Sequence, residues 1–368
     1  MDGTTLIAES RQAAKAVGLR YSSDEQPGIR RRRVGKGFRY VDAGGKTMRD
    51  PAALQRIRSL AVPPAWTDVW ICPDADGHLQ ATGRDAKGRK QYRYHADYRA
   101  ARDSDKFDHI LTFAVALPTI RAAVARHMAG RDLGRERVLA TVVHLLESTL
   151  IRVGNEDYAR QNKSYGLTTL KNPHVKVEGT ALRFQFTGKS GKTWRLKISD
   201  RRVARIVRAC QELPGQKLFQ YLDDEGKPQS VTSSDVNAHL REIAGEDITA
   251  KDFRTWHGTV LAAMTLRDAL DADDPTPTRR RLKAAIADVA ARLGNTVTIC
   301  RKCYIHPAII DRYLSGDLAT RLLRESPTGE HAHGLKPEEI LTLALLDGRP
   351  KGKRGLKERL RQSLEAMP

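Results

Sequence analysis

Several groupings in this sequence have residue types that could do chemistry. Gly191-Lys192-Thr193 has the ending of a phosphate-binding loop. That loop needs a second glycine five residues before Gly191, and position 186 is Phe186. The surrounding apolar alternation also reads as strand–turn–strand, so no nucleoside triphosphate site is expected. Cys300 and Cys303 have the spacing of half a zinc site, but no second pair stands at a suitable distance. They read as two semi-buried thiols. His331 and His333 beside Glu330 read as a polar loop. Asp and Glu do not cluster as a two-metal site requires. No metal and no cofactor are expected. What remains is phosphate chemistry run by side chains alone. It needs an attacking group, cationic groups for the nonbridging oxygens and an acid for the leaving oxygen.

Four segments supply those types in order. The first is Ile151-Arg-Val-Gly-Asn-Glu156, followed by Ser164-Tyr-Gly-Leu-Thr-Thr-Leu170. The second is Phe186-Thr-Gly-Lys189, the third Lys251-Asp-Phe-Arg-Thr-Trp256. The fourth is Leu293-Gly-Asn-Thr296 with Arg301-Lys-Cys-Tyr-Ile305. Together they resemble the active-site blocks of type IB DNA topoisomerases, at family-like spacing. Upstream, Gly28 to Tyr40 and Gln80 to Tyr94 resemble the N-terminal DNA-clamp domain of the bacterial, poxvirus-like branch. The resemblance covers roughly residues 25–325.

The resemblance implies roles. Tyr304 matches the nucleophile that attacks a backbone phosphorus and forms a 3′-phosphotyrosyl link while the 5′-hydroxyl leaves. Arg152 and Arg254 match the two arginines that clamp the nonbridging oxygens. A phenol is a weak nucleophile near neutral pH, so cationic neighbours must favour its ionised form. Lys189 matches the general acid for the 5′-oxygen. Asn295, nine residues before Tyr304, takes the place of a histidine in many members and can donate only a neutral hydrogen bond. Lys251 resembles a phosphate-contacting lysine. Gln91, Tyr92 and Tyr94, with Arg84 and Lys87, resemble the clamp's DNA contacts. Alternation puts Tyr92 and Tyr94 on one strand face, where burial against a helix is the other reading.

The elements must bring these blocks together. Residues 1–22 read as a short helix and 23–37 as a loop. Phe38–Val41 and Thr47–Arg49 read as a hairpin around Ala43-Gly-Gly-Lys46. Asp50-Pro51 opens a helix that ends before Pro63-Pro64. Strands follow near 69–72, 78–82 and 91–94. Apolar residues recur at helical spacing over 107–128 and 136–153. Residues 174–198 alternate as two or three half-buried strands turning at Gly188–Gly191. Helix returns near 200–212, 233–245, 256–271, 277–293 and 303–323, and from Leu335 as a tail with a basic end. The fold expected is α+β: a β-rich N-terminal clamp domain (1–95), a mainly helical catalytic domain with a small inserted antiparallel sheet (96–330), and a helical basic tail (331–368).

Charge agrees with this reading. The chain has 368 residues, with 64 Lys and Arg against 44 Asp and Glu, a formal net charge of +20. Such a surplus points to a polyanion, and the Arg-rich balance favours bidentate phosphate contacts. Basic runs stand at Arg30–Arg33, Arg84–Arg93 and Arg349–Arg361. Four cysteines make no disulfide framework. No signal peptide is read at the N-terminus, and no stretch approaches a membrane span of about 18 apolar residues. The expected partner is duplex DNA, preferably supercoiled, clamped by a monomer in the cytoplasm, nucleoid-associated, with no membrane involved. Two rivals stand beside the topoisomerase reading. A tyrosine recombinase typically has histidine where this chain has Lys251. A non-catalytic basic DNA-packaging protein would need none of the four blocks.

Overall fold

The structure is a computed structural model that describes residues 3–270, 278–318 and 334–346. The chain divides into two compact units, Met1–Asp108 and His109–Pro368. The architecture is α+β, as expected.

The first unit opens with α1 (Gly3–Ala16) and is built on a five-stranded antiparallel sheet of order β2-β1-β3-β4-β5. Its strands are β1 (Ile29–Val34), β2 (Gly37–Val41), β3 (Thr67–Ile71), β4 (Leu79–Arg84) and β5 (Lys90–Tyr94). Helix α2 (Pro51–Ser59) starts as its sequence dictates: Asp50 caps the amides of Ala52 and Ala53, and Pro51 occupies the first turn. Ile57 of α2 packs with Ile29, Val69, Ile71 and Ala81 of the sheet.

Two expectations change here. The arginine run reads as loop but forms β1, because alternation is hidden when both faces carry Arg. Arg31 turns inward and donates to the carbonyls of Val62, Pro63 and Trp66. The hairpin partner of β2 is therefore β1, and Thr47 makes only an isolated bridge with Val41.

The second unit is mainly helical. Helix α3 (Ala96–Met128) contains the point where the two units divide, and α4 (Arg135–Thr149) follows. Within α3, His109–Met128 is long and apolar enough to cross a bilayer, with a mean hydropathy of 1.2, contrary to the sequence expectation. Its Ile110, Phe113, Leu117 and Ile120 are buried in the unit's core, which accounts for that apolarity by packing.

Next come α5 (Glu156–Asn162) and a three-stranded antiparallel sheet of β6 (Val175–Glu178), β7 (Ala181–Thr187) and β8 (Thr193–Ser199). Leu182, Phe184 and Phe186 of β7 alternate into the core, as read. After α6 (Arg201–Glu212) comes a short hairpin that sequence reading missed, β9 (Gln220–Leu222) with β10 (Pro228–Ser230). The remaining described helices are α7 (Ser233–Ala244), α8 (Ala250–Asp268), α9 (Thr278–Leu293), α10 (Val297–Cys303), α11 (Pro307–Ser315) and α12 (Pro337–Leu346).

Three helix boundaries differ from the reading, and each matters to the site. Helix α4 stops at Leu150, in the left-handed conformation with φ 57°, so Arg152 leaves the helix. Helix α8 starts at Ala250, where Thr249 and Asp252 form a capping box, so Lys251 and Arg254 are helical. The stretch read as one helix over 303–323 breaks after Cys303. Pro307 supplies no amide and holds His306 extended, so Tyr304 lies at the joint between α10 and α11. Helix α12 belongs to the second unit's core, with Leu343, Leu345 and Leu346 buried. His331, His333 and the basic run from Arg349 lie outside the described residues.

Candidate active site

Residues from four separate segments line one cleft of about 350 Å³: Arg152, Tyr158, Lys189, Lys251, Arg254 and Tyr304 among them. Each is delivered by local structure the sequence encodes.

Arg152 sits on a loop that would be free to wander without its stitching. The amides of Leu167 and Thr168 donate to the carbonyls of Arg152 and Val153 at 2.9 and 2.7 Å. Two glycines permit this closeness. A Cβ at Gly166 would stand 2.5 Å from the Arg152 carbonyl, and Gly154 adopts φ 104°. The guanidinium reaches across to the next segment, donating to Asn295 Oδ1 and, at 3.3 Å, to the Gly294 carbonyl.

Arg254 is 3 % exposed, a charge buried on α8. It donates to the carbonyls of Leu150 and, at 2.6 Å, Leu293. The left-handed turn at Leu150 thus presents one of the two oxygens that hold it. Its guanidinium carbon lies 5.1 Å from the centroid of the Tyr304 ring, a cation–π distance. Burial, then repulsion from Arg152, brings Arg254 down to about 10, while Tyr304 pulls the other way. Burial likewise lowers Arg152, and Tyr304 offsets part of that. Two guanidinium groups are therefore held together against burial and mutual repulsion, with the phenol beside both. Arg254 remains charged at neutral pH.

Tyr304 is placed through its backbone. Its amide closes the last bond of α10 with the Cys300 carbonyl at 2.9 Å. Its carbonyl rests on Gly258 of α8, where any Cβ would collide with it. Thr259 Oγ1, which donates to the Thr255 carbonyl at 2.8 Å, lies 3.4 Å from the same Tyr304 carbonyl and accepts the amide of His306 at 3.1 Å.

Lys189 stands in the turn between β7 and β8, followed by Ser190 at φ 64°. Its Nζ lies 5.7 Å from the centroid of the Tyr158 ring. The turn is fixed from beneath by Trp194. That ring stacks on Phe186 with centroids 6.1 Å apart and packs against both Gly188 and Gly294. A single tryptophan thereby joins the Lys189 hairpin to the loop carrying Asn295.

The structure brings together Arg152, Lys189, Lys251, Arg254 and Tyr304, with Asn295 bonded to Arg152 behind the cleft. The other candidates belong to the first unit. Tyr92 and Tyr94 stack at 6.1 Å on one face of β5 and are 46 % and 39 % exposed, and Tyr94 also packs on Tyr98 of α3 with ring centroids 5.5 Å apart. Gln91 donates to Asp85 at 3.0 Å. Arg84 donates to the Gly88 carbonyl at 3.0 Å, and Lys87 is exposed. Sequence reading missed Tyr158, Gly258 and Trp194. Tyr158 lies six residues after Arg152, and only the opening of α5 at Asn155 hinted at its direction.

Residues 95–318 match the family described as the catalytic core of eukaryotic DNA topoisomerase I, and residues 37–85 match the N-terminal domain of bacterial DNA topoisomerase IB. DNA topoisomerase 1B of Acanthamoeba polyphaga mimivirus is 31% identical over 294 residues, 78% of this chain and 87% of the viral one. DNA topoisomerase 1B of vaccinia virus (strain Copenhagen) is 24% identical over 272 residues, 71% and 82% respectively. DNA topoisomerase 1 beta of Arabidopsis thaliana is 27% identical over 177 residues, 47% of this chain and 18% of the plant one. These matches make the chain a topoisomerase, an isomerase that acts on DNA. Within that class the chain belongs to the type IB family, with poxvirus-like relatives.

Proposed function

We propose that the chain relaxes positive and negative supercoils without ATP by nicking one strand of duplex DNA through Tyr304. The observation that carries this reading is the convergence of Arg152, Arg254, Lys189 and Tyr304 on one cleft.

In this mechanism the Tyr304 oxygen attacks a backbone phosphorus, and a 3′-phosphotyrosyl bond forms as the bond to the 5′-oxygen breaks. Arg152 and Arg254 stabilise the ionised phenol and then the growing charge on the nonbridging oxygens. Their cost of burial is met before substrate arrives, so little reorganisation is left for the reaction itself. Asn295 donates to the phosphate through its amide, and Lys189 protonates the departing 5′-oxygen. Lys251, at the N-terminus of α8, contacts a neighbouring phosphate. The broken strand rotates, and the 5′-hydroxyl attacks the phosphotyrosine to reseal it. The new ester conserves the energy of the old one, so no nucleotide is consumed. Tyr92 and Tyr94 offer aromatic faces, and Lys87 and Arg84 offer cations, to the duplex, and the protein works as a monomer at the nucleoid.

The test mixes the protein with supercoiled plasmid in EDTA without ATP. Relaxation of both signs of supercoil is expected, and Tyr304→Phe should bind DNA but form no covalent adduct. A plasmid that stays supercoiled at every salt concentration overturns the reading. Strand exchange only between paired sites would make the chain a recombinase.

A further inference from the structure

Outside the cleft, three side chains in the second unit face one another with no assigned purpose. Glu147 of α4, His257 of α8 and Glu339 of α12 each bring one ligand-type atom to within 4.8 Å of the others. Glu339 is only 2 % exposed. We propose that these three residues form a divalent-metal site of the zinc class, which fastens α12 and α4 to α8.

The histidine carries the argument. His257 Nδ1 lies 2.7 Å from the Phe253 carbonyl, which can only accept, so Nδ1 holds the ring proton. Nε2 then has a bare lone pair. It is sealed from solvent and has no hydrogen-bond partner. A backbone carbonyl fixing one ring nitrogen while the other faces carboxylates is how a metal-binding imidazole is oriented.

The carboxylates are held in place by a cation already present. Arg121 donates to Glu147 Oε1 at 2.6 Å and to both oxygens of Glu339 at 2.8 and 2.9 Å. The Trp256 ring nitrogen, at 3.3 Å, and the Lys336 amide, at 2.8 Å, also donate to Glu339. These donors aim the carboxylates as an outer shell does. Besides the Arg121 guanidinium, Lys336 lines the same cavity as Glu147, His257 and Glu339. Three ligand-type atoms within 4.8 Å of one another, one of them a buried imidazole nitrogen without a partner, are a set that a small cation can bind. One nitrogen and two carboxylate oxygens suit Zn²⁺ or Co²⁺, with ligand distances of about 2.0–2.2 Å after a modest contraction. The site would brace α8 next to Trp256, two residues from Arg254.

The test uses the full chain stripped with chelator and titrated with CoCl₂, then ZnCl₂. One equivalent of Co²⁺ is expected, with weak visible d–d bands and no thiolate charge-transfer band, and Zn²⁺ should displace it. ZnCl₂ should also raise the unfolding temperature by mass action. His257→Gln should abolish the bands. Glu147→Gln, which is half-buried and keeps its acceptor for Arg121, should weaken Co²⁺ binding by about tenfold or more. Protein carrying Cys300→Ser with Cys303→Ser should bind as before. Absent bands, a thiolate band, or binding indifferent to Glu147→Gln would each overturn the proposal. If His257→Gln does not fold, Glu147→Gln decides alone.

Discussion

Arg152 donates to the side-chain oxygen of Asn295, and that bond leaves the amide nitrogen as the end open to a further partner. With Oδ1 taken by the guanidinium, Nδ2 is the end without a protein partner. That nitrogen is sealed from solvent in the free protein, so its proposed role as a neutral donor requires the phosphate to reach it. Asn295→Asp tests this reading directly. The carboxylate would keep, and strengthen, the bond to Arg152 but would offer no donor and would repel the phosphate. Single-turnover cleavage should fall roughly 10²–10³-fold, the usual cost of losing one oxyanion donor. Noncovalent binding should change little. A cleavage rate within a factor of about three of the parent would rule out the donor role.

Gly258 is a second point where geometry makes a definite statement. A methyl group there would run into the Tyr304 carbonyl and stand 3.1 Å from Leu293 Cδ1. Helix propensity alone predicts that Gly→Ala in α8 stabilises by about 1 kcal/mol. The contact predicts the opposite, a loss of about 1–3 kcal/mol with displacement of the Tyr304 backbone. Gly258→Ala should therefore lower the unfolding temperature and cut adduct formation, while filter binding of DNA persists. A variant that is more stable and fully active would show that Tyr304 does not depend on this contact.

His109 and Asp252 form an ion pair at 3.7 Å that holds the capping end of α8. The hydrogen bond to Asp252 raises His109 above its ordinary 6.5. Burial pushes Asp252 up, but hydrogen bonds from His109 and Thr249 more than offset it, leaving it below 3.8. The raised histidine gives stability that is complete below pH 6.5 and fades as pH rises through its folded value. The depressed aspartate gives stability that is complete above pH 3.8 and fades as pH falls through its folded value. The pair should therefore stabilise most in the mildly acidic window between them. Unfolding temperatures of the parent and His109→Gln, measured across pH 5 to 9, should differ by a few degrees at the acid end and converge at the alkaline end. A gap that is constant with pH would assign the pair no ionic role.

The order of the blocks made Arg152, Lys189, Arg254 and Tyr304 legible in the sequence, and Phe184 and Phe186 made the small sheet legible through strict alternation. What stayed hidden has physical causes. Phe253, Arg254, Thr255 and Trp256 are buried in succession, so α8 has no single apolar stripe at its start and its helical period disappears there. A buried arginine reads as surface in any hydropathy pattern. The left-handed turn at Leu150, which aims a carbonyl at Arg254, falls on a residue that normally avoids it and gives no composition signal. Gly258 looks like a helix defect until the chain folds Tyr304 against it. The arginine run of β1 hid a strand because long charged stems can cover either face of a sheet.

Trp194 offers the sharpest separation of positioning from chemistry. Its ring supports the Lys189 turn at Gly188 and the Asn295 loop at Gly294, so it reaches the reacting atoms only through other residues. Lys189→Ala should slow cleavage by roughly 10²–10⁴-fold, the range for losing a general acid. Trp194→Leu should slow it by about tenfold, because a small misplacement of the acid is costly. A substrate whose leaving group is a nitrophenol needs no proton to depart. On that substrate both variants should recover toward the parent rate, while Arg152→Ala should stay slow, since the charge on the nonbridging oxygens still needs its cation. If Trp194→Leu stays slow on the activated substrate, the ring acts on the phosphate through Asn295. If Lys189→Ala stays slow there, Lys189 is not the acid.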